Sequence, residues 1–269
     1  MSRLQLHTRH DPLEGLNADG TIATGARRSG IPDAFRPVLE AAIEHLARVE
    51  GAHSLYVYGS VATGTAQVGV SDVDLVTIGL DAAIARRLGN ELTAAFPGLC
   101  RGVEVGPAEW RDYEGPGDEA YGNRVFLRHY CVHLAGLDVG SALPSFPADK
   151  AAARGFNGDI DLRASQWRKE LSASDPGLLG RRIARKTLFA VAGLVSIHDA
   201  VWTTDRVAAA RRWSVLRPGL TAALPTLVAW GDGWPAKSSR SEIQRVLDGV
   251  VADVIDDFRD CIGLWASNH

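Results

Sequence analysis

Apolar residues change their spacing along the chain, and each change marks a different element. After Pro32 and Asp33, Val38, Leu39, Ala42, Ile43, Leu46 and Val49 recur on one helical side and predict a helix of about five turns. The period then drops to two. Leu55-Tyr56-Val57-Tyr58 is a β-prone run that stops at Gly59, and Val73 and Leu75 alternate with Asp72 and Asp74 in a second strand. Helical spacing returns at Ile84, Leu88, Leu92 and Ala95, with Asp81 placed to cap the first turn and Phe96-Pro97-Gly98 to close the last. Val103-Glu104-Val105 reads as a third strand, expected to end at Gly106-Pro107. Residues 119–136 mix the two periods and allow a helix followed by a strand.

The two ends of the chain differ. Residues before Gly30 show no sustained period and read as an irregular lead segment able to fold over a site. The Gly-, Pro- and Ser-rich stretch LDVGSALPSFPAD reads as a linker, with a domain boundary near Ala148. Beyond it the pattern is helical, in segments 159–171, 180–200, 205–215, 221–230 and 241–265, and five such helices make a bundle. The chain is therefore read as α+β, with a mixed sheet and flanking helices in residues 1–148 and a helical bundle in residues 149–269.

Composition narrows the class. With 269 residues, 46% of them hydrophobic, the chain has ample core for independent folding, and its net charge of -3 carries no global basic footprint of a duplex-binding protein. It has no apolar run of about eighteen residues and no apolar centre near its start, which predicts a cytoplasmic protein without a membrane partner. Cys100, Cys131 and Cys261 are far apart and read as reduced, mostly buried thiols, while His45 and His53 lack neighbours at ligand spacing. Six of the seven tryptophans fall in the helical half; Trp202 and Trp234 adjoin loops where a ring stacks on a base or, more simply, packs in the core.

The chemistry lies between residues 55 and 77. Asp72 and Asp74 share one strand face, and two carboxylates about 4 Å apart in a partly desolvated site repel by roughly 4 kcal/mol at an effective dielectric near 20. A divalent cation removes that conflict, and oxygen-only ligands favour magnesium, which shares its coordination sphere with substrate phosphates. Gly59 permits a sharp turn, Ser60-Val61-Ala62 can open a short helix whose free N–H groups and Ser60 hydroxyl face an anion, and Gly64 lets the turn exit.

A strand ending in Gly59-Ser60, a glycine-containing turn and Asp72-Val73-Asp74 on the next strand resembles the nucleotidyltransferase superfamily typified by DNA polymerase β and the antibiotic nucleotidyltransferases. Such a site wants a third carboxylate on the following strand, and Glu104 is the first acid in that place, with Glu109 and Asp112 as runners-up. GSVATG, SDVDL and RGVEV together look like the aminoglycoside adenylyltransferases that modify streptomycin and spectinomycin, over roughly the first 110 residues. The resemblance implies a nucleotidyltransferase domain followed by a helical bundle, with ATP and the acceptor in the cleft between them. It also implies two magnesium ions on Asp72 and Asp74, and Glu104 as base or further metal ligand. Arg206 falls near the position of that family's triphosphate lysine.

Arg181, Arg182, Arg185 and Lys186 crowd the start of one bundle helix, with residues four apart on common faces. Arg185, Lys186 and Arg182 are candidates for the triphosphate, set against a merely solvated basic face. An enzyme gripping a polycationic antibiotic wants acids in its cleft; here the helix start is Arg-Arg, and Asp159, Asp161 and Asp175 are the acids nearby. The expected activity is transfer of a nucleoside monophosphate, AMP from ATP, to a hydroxyl of a small molecule such as an antibiotic or natural product. The alternatives are a toxin-like transferase acting on tRNA or protein and a nucleotide-binding module without chemistry.

Overall fold

The structure, a computed structural model, describes residues 11–51, 53–232 and 238–266. It is α+β, with a mixed four-stranded sheet and many helices. The lead segment is less irregular than its composition predicts, for Gly15–Leu16 (β1) and Ile22–Ala23 (β2) pair antiparallel. Helix α1 (Arg36–Leu46) is shorter than expected: Pro37 stands at its start, residues 33–35 form a single 3-10 turn before it, and Val49 lies beyond its end.

The sheet is built from β3 (Ser54–Tyr58), β4 (Val73–Ile78), β5 (Val103–Ala108) and β6 (Val132–Gly136), in the order β5-β4-β3-β6. The single turn α2 (Gly59–Ala62) follows β3, α3 (Ala82–Ala95) links β4 to β5, and α4 (Asp118–Tyr130) precedes β6. Asp81 caps α3 as its sequence implies, its Oδ1 accepting from Ala83 N at 2.8 Å and Ile84 N at 3.2 Å. β3 runs antiparallel to β4 and β6, whereas β4 and β5 are parallel. β5 continues through Gly106-Pro107 instead of stopping there, since it is an edge strand and the missing proline N–H costs no ladder bond on its open side.

The rear face of the sheet carries Leu55, Val57, Val73, Leu75, Val103 and Val105, packed against α1 and α3 in one core. The front face is divided. Tyr56, Val76 and Ile78 are covered by Leu127 of α4, and the acids occupy the other end. The stretch expected to be a linker is ordered: α5 (Val139–Ala142) is held by the Tyr56 hydroxyl, which accepts from Val139 N at 2.8 Å and Gly140 N at 3.2 Å.

Among the described residues seven helices follow rather than five: α6 (Lys150–Asn157), α7 (Ile160–Glu170), α8 (Pro176–His198), α9 (Arg206–Leu216), α10 (Leu224–Asp232), α11 (Arg240–Asp248) and α12 (Val250–Cys261). Gly249 breaks the last segment in two, and Pro176, expected to separate helices, is the first residue of α8 behind its Asp175 cap. A second core fills the space among these helices and also takes in Ile22, Val125 and Phe146. Helices α4 and α6 touch backbone to backbone, because a Cβ on Gly122 would meet Gly155 O at 2.4 Å. No helix among the described residues is long and apolar enough to cross a membrane.

Candidate functional site

Strand register builds the site. Tyr58 at the end of β3 pairs with Asp74 of β4, and Asp74 pairs with Glu104 of β5. Residues paired across a ladder point to the same side, so all three share the face opposite Leu75 and Val105. Two carboxylates distant in sequence thereby come to one end of the sheet.

Asp72 lies just before β4. Arg101 N donates to Ser71 O at 3.0 Å, which sets the arginine alongside. Its Nε donates to Asp72 Oδ1 at 2.8 Å and its Nη2 to Asp72 Oδ2, a two-pronged ion pair that the sequence analysis missed. Arg101 stands two residues before the strand that carries Glu104, and no local pattern marks it as the partner of Asp72.

Asp74 is the electrostatic centre. Loss of water first, then the charges of Asp72 and Glu104, raise its carboxyl to about 6, against the opposing pull of Arg185 and Arg101. Burial first, then the charges of Asp74 and Glu104, hold the Tyr58 hydroxyl far above the ordinary phenol range. The turn after β3 fits against this carboxylate: Gly59 has φ +68°, and a Cβ there would stand 2.6 Å from Asp74 Oδ2. Among the described residues the Ser60 hydroxyl has no hydrogen-bond partner, and the Ser60 carbonyl accepts from Thr65 N at 2.9 Å and Ala66 N at 3.0 Å.

The basic cluster of α8 is divided by the helix. Arg185 is exposed and makes no hydrogen bond or ion pair among the described residues, yet its charge acts on Asp74 and Tyr58. Arg182 is paired with Glu170 of α7. Lys186 turns into the bundle, where its ammonium meets Asp159 Oδ1 at 2.7 Å and donates to Phe156 O at 2.9 Å. The expectation that Lys186 holds phosphate gives way, because its charge is already neutralised inside the fold. Arg206 stacks its guanidinium over the Phe189 ring at 5.3 Å from the centroid.

Other candidates have structural duties. Glu109 and Asp112 cap a 3-10 turn reciprocally. Asp159 is buried between Lys186 and Arg163, Asp161 accepts from Leu162 N at 2.7 Å, and Asp175 accepts from Leu178 N at 2.9 Å. Trp202 is buried and donates Nε1 to the Tyr130 hydroxyl at 2.6 Å, which makes it a packing residue; Trp234 lies outside the described residues. Cys100 is buried, whereas Cys261 is exposed against expectation. His53 bonds Gly79 O at 2.9 Å and Glu50 O at 2.7 Å, and His45 stands 3.5 Å from Glu91.

A network linking distant segments was not legible in the sequence. Glu14 of the lead segment accepts from Thr204 N at 2.6 Å, Thr204 Oγ1 at 2.7 Å and Tyr130 Oη at 3.1 Å. It ties that segment to α4 and to the α8–α9 connection.

Among the described residues no group of three or more His, Cys, Asp and Glu side chains is gathered as a metal-ligand set, and Asp72 is committed to Arg101. The donors nevertheless suit a hard divalent ion. They are oxygens only, and Asp74, crowded by two like charges, is short of a counter-cation. A scan against protein-family models and a search of curated proteins found no match to this chain.

Proposed function

We propose that the protein is a magnesium-dependent nucleotidyltransferase that moves a nucleoside monophosphate, AMP from ATP by resemblance, onto a hydroxyl of a small molecule. The observation that carries this reading is the pairing of Asp74 with Glu104 beside the left-handed turn at Gly59. The reading entails a nucleotidyltransferase domain over residues 1–148 and a helical bundle over residues 149–269; the mixed sheet and a second core made mostly of helical residues beyond 148 support it.

Asp72, Asp74 and Glu104 would hold two magnesium ions, which when bound polarise the α-phosphate and neutralise the leaving pyrophosphate. For this Asp72 must release Arg101. Gly59 and Ser60 take the β- and γ-phosphates on the N–H groups and hydroxyl of the turn. The acceptor oxygen bonds to the α-phosphorus while the bond from that phosphorus to the bridging oxygen of the β-phosphate breaks; the electron pair leaves with pyrophosphate, and Glu104, the exposed acid of the pair, receives the hydroxyl proton.

Incubation with α-labelled ATP and a library of hydroxyl compounds tests this. Magnesium-dependent pyrophosphate release that vanishes in Asp74→Asn is the expected result. Release without magnesium, or release untouched by Asp74→Asn, refutes the assignment.

A further inference from the structure

At the corner where α7 hands over to α8 lies a cavity of about 410 Å³, lined by Ser174, Asp175 and Leu178 and by Arg181, Arg182 and Arg185. That volume is in the range of small-molecule sites. The arginines lie on one arc of α8, since residues three and four apart on a helix are neighbours. Asp175 is the one acid in the lining and uses Oδ1 to cap the helix, while Arg182 is paired with Glu170 of α7.

We propose that this cavity receives the acceptor, and that the acceptor is a small hydroxyl compound carrying an anionic group, a phosphate monoester or a carboxylate, gripped by Arg185. The assignment rests on the nucleotidyltransferase reading. No residue of the Gly59-Ser60 turn and none of the sheet acids lines the cavity, so it is distinct from the phosphate cradle. Arg185 joins the two, for it lines the cavity and its charge is felt at Asp74. A ligand anchored there by its anion has Leu178, which is 47% exposed, to carry its carbon skeleton. The lining disfavours a polycation, because it carries three arginines against Asp175 alone, and Asp159 is neutralised by Lys186 and Arg163.

The test is calorimetric titration of inorganic phosphate into the full-length protein, nucleotide-free and then saturated with magnesium and a non-hydrolysable ATP analogue. Phosphate should bind in both states, at least tenfold more weakly in Arg185→Gln; among the described residues Arg185 makes no hydrogen bond or ion pair whose loss would disturb folding. Ribose 5-phosphate and glucuronate should compete with phosphate, and ribose should not; which of the two competes better separates a phosphate from a carboxylate acceptor. Phosphate binding abolished by the nucleotide analogue would assign the arginines to the triphosphate and overturn the proposal. So would binding of spermidine in place of phosphate, or tight, steeply salt-dependent binding of a short oligoribonucleotide at the same arginines. If the nucleotide analogue does not bind at all, the nucleotidyltransferase reading falls by itself. The nucleotide-free isotherm then decides the cavity alone: indifference to Arg185→Gln overturns the anion site, and tenfold weakening upholds it.

Discussion

Asp74 shows how a single side chain can be costly for the fold and necessary for the site. Its carboxyl is raised from 3.8 to about 6, so the folded protein holds this proton over a range where the unfolded chain has released it. The resulting destabilisation is absent below the unfolded value, grows as pH rises between the two, and is complete above about 6. Asp74→Asn should therefore stabilise the magnesium-free protein by on the order of 1 kcal/mol at pH 7.5, allowing for solvent screening, with the advantage gone near pH 4. Thermal melts at the two pH values in EDTA check this, and an equal advantage at both would contradict it. Gly59 is the complementary case. Its φ of +68° and the Asp74 oxygen at 2.6 Å leave no room for a side chain, so Gly59→Ala should cost about 1–3 kcal/mol in denaturant melts and remove nucleotide binding. At this scale the sequence was informative, because Asp-x-Asp on a strand and Gly-Ser at its neighbour's end are local patterns. Arg101 was not legible, since a surface arginine becomes an ion-pair partner only through the β4–β5 pairing.

Among the elements, the sheet is where prediction and structure agree best. The alternation of Val73, Asp74 and Leu75 sets which face each residue takes, and β4 and β5 obey it together. Pro107 was misread because its cost depends on whether a strand is at an edge, which local sequence does not reveal. The α4–α6 contact was hidden for the same reason: Gly122 and Gly155 look like weak helix residues until the two backbones meet. Gly155→Ala should force the helices apart and cost about 1–3 kcal/mol, visible as a lower midpoint in urea without a change in slope. The Arg101–Asp72 pair belongs to this scale too, since it joins the approach to β5 with the approach to β4. Arg101→Met should lower the melting temperature in EDTA by about 2–3 °C, and millimolar magnesium should close most of that gap by neutralising the acids in the guanidinium's place. A gap that magnesium leaves unchanged would mean that the pair has nothing to do with a cation.

For the whole molecule, a change of texture near residue 148 was readable from composition, but the sharing of parts across it was not. Ile22, Val125 and Phe146 enter the helical core, and Glu14 is hydrogen-bonded to Thr204 across most of the chain length. Such contacts arise only once the elements have docked, and they place the bundle arginine Arg185 within electrostatic reach of the sheet acid Asp74. The pairing of Asp74 with Glu104 beside the Gly59 turn, with Arg185 in reach, is the physical basis for proposing that the molecule handles a metal-bound triphosphate. The most direct measurement is calorimetric titration of a non-hydrolysable ATP analogue into the wild-type protein and into Asp74→Asn, with magnesium and with EDTA. The account predicts one-to-one binding with magnesium, weakened at least a hundredfold by EDTA or by the substitution. Binding of equal strength in all four titrations, or no binding of any nucleoside triphosphate analogue, would contradict it.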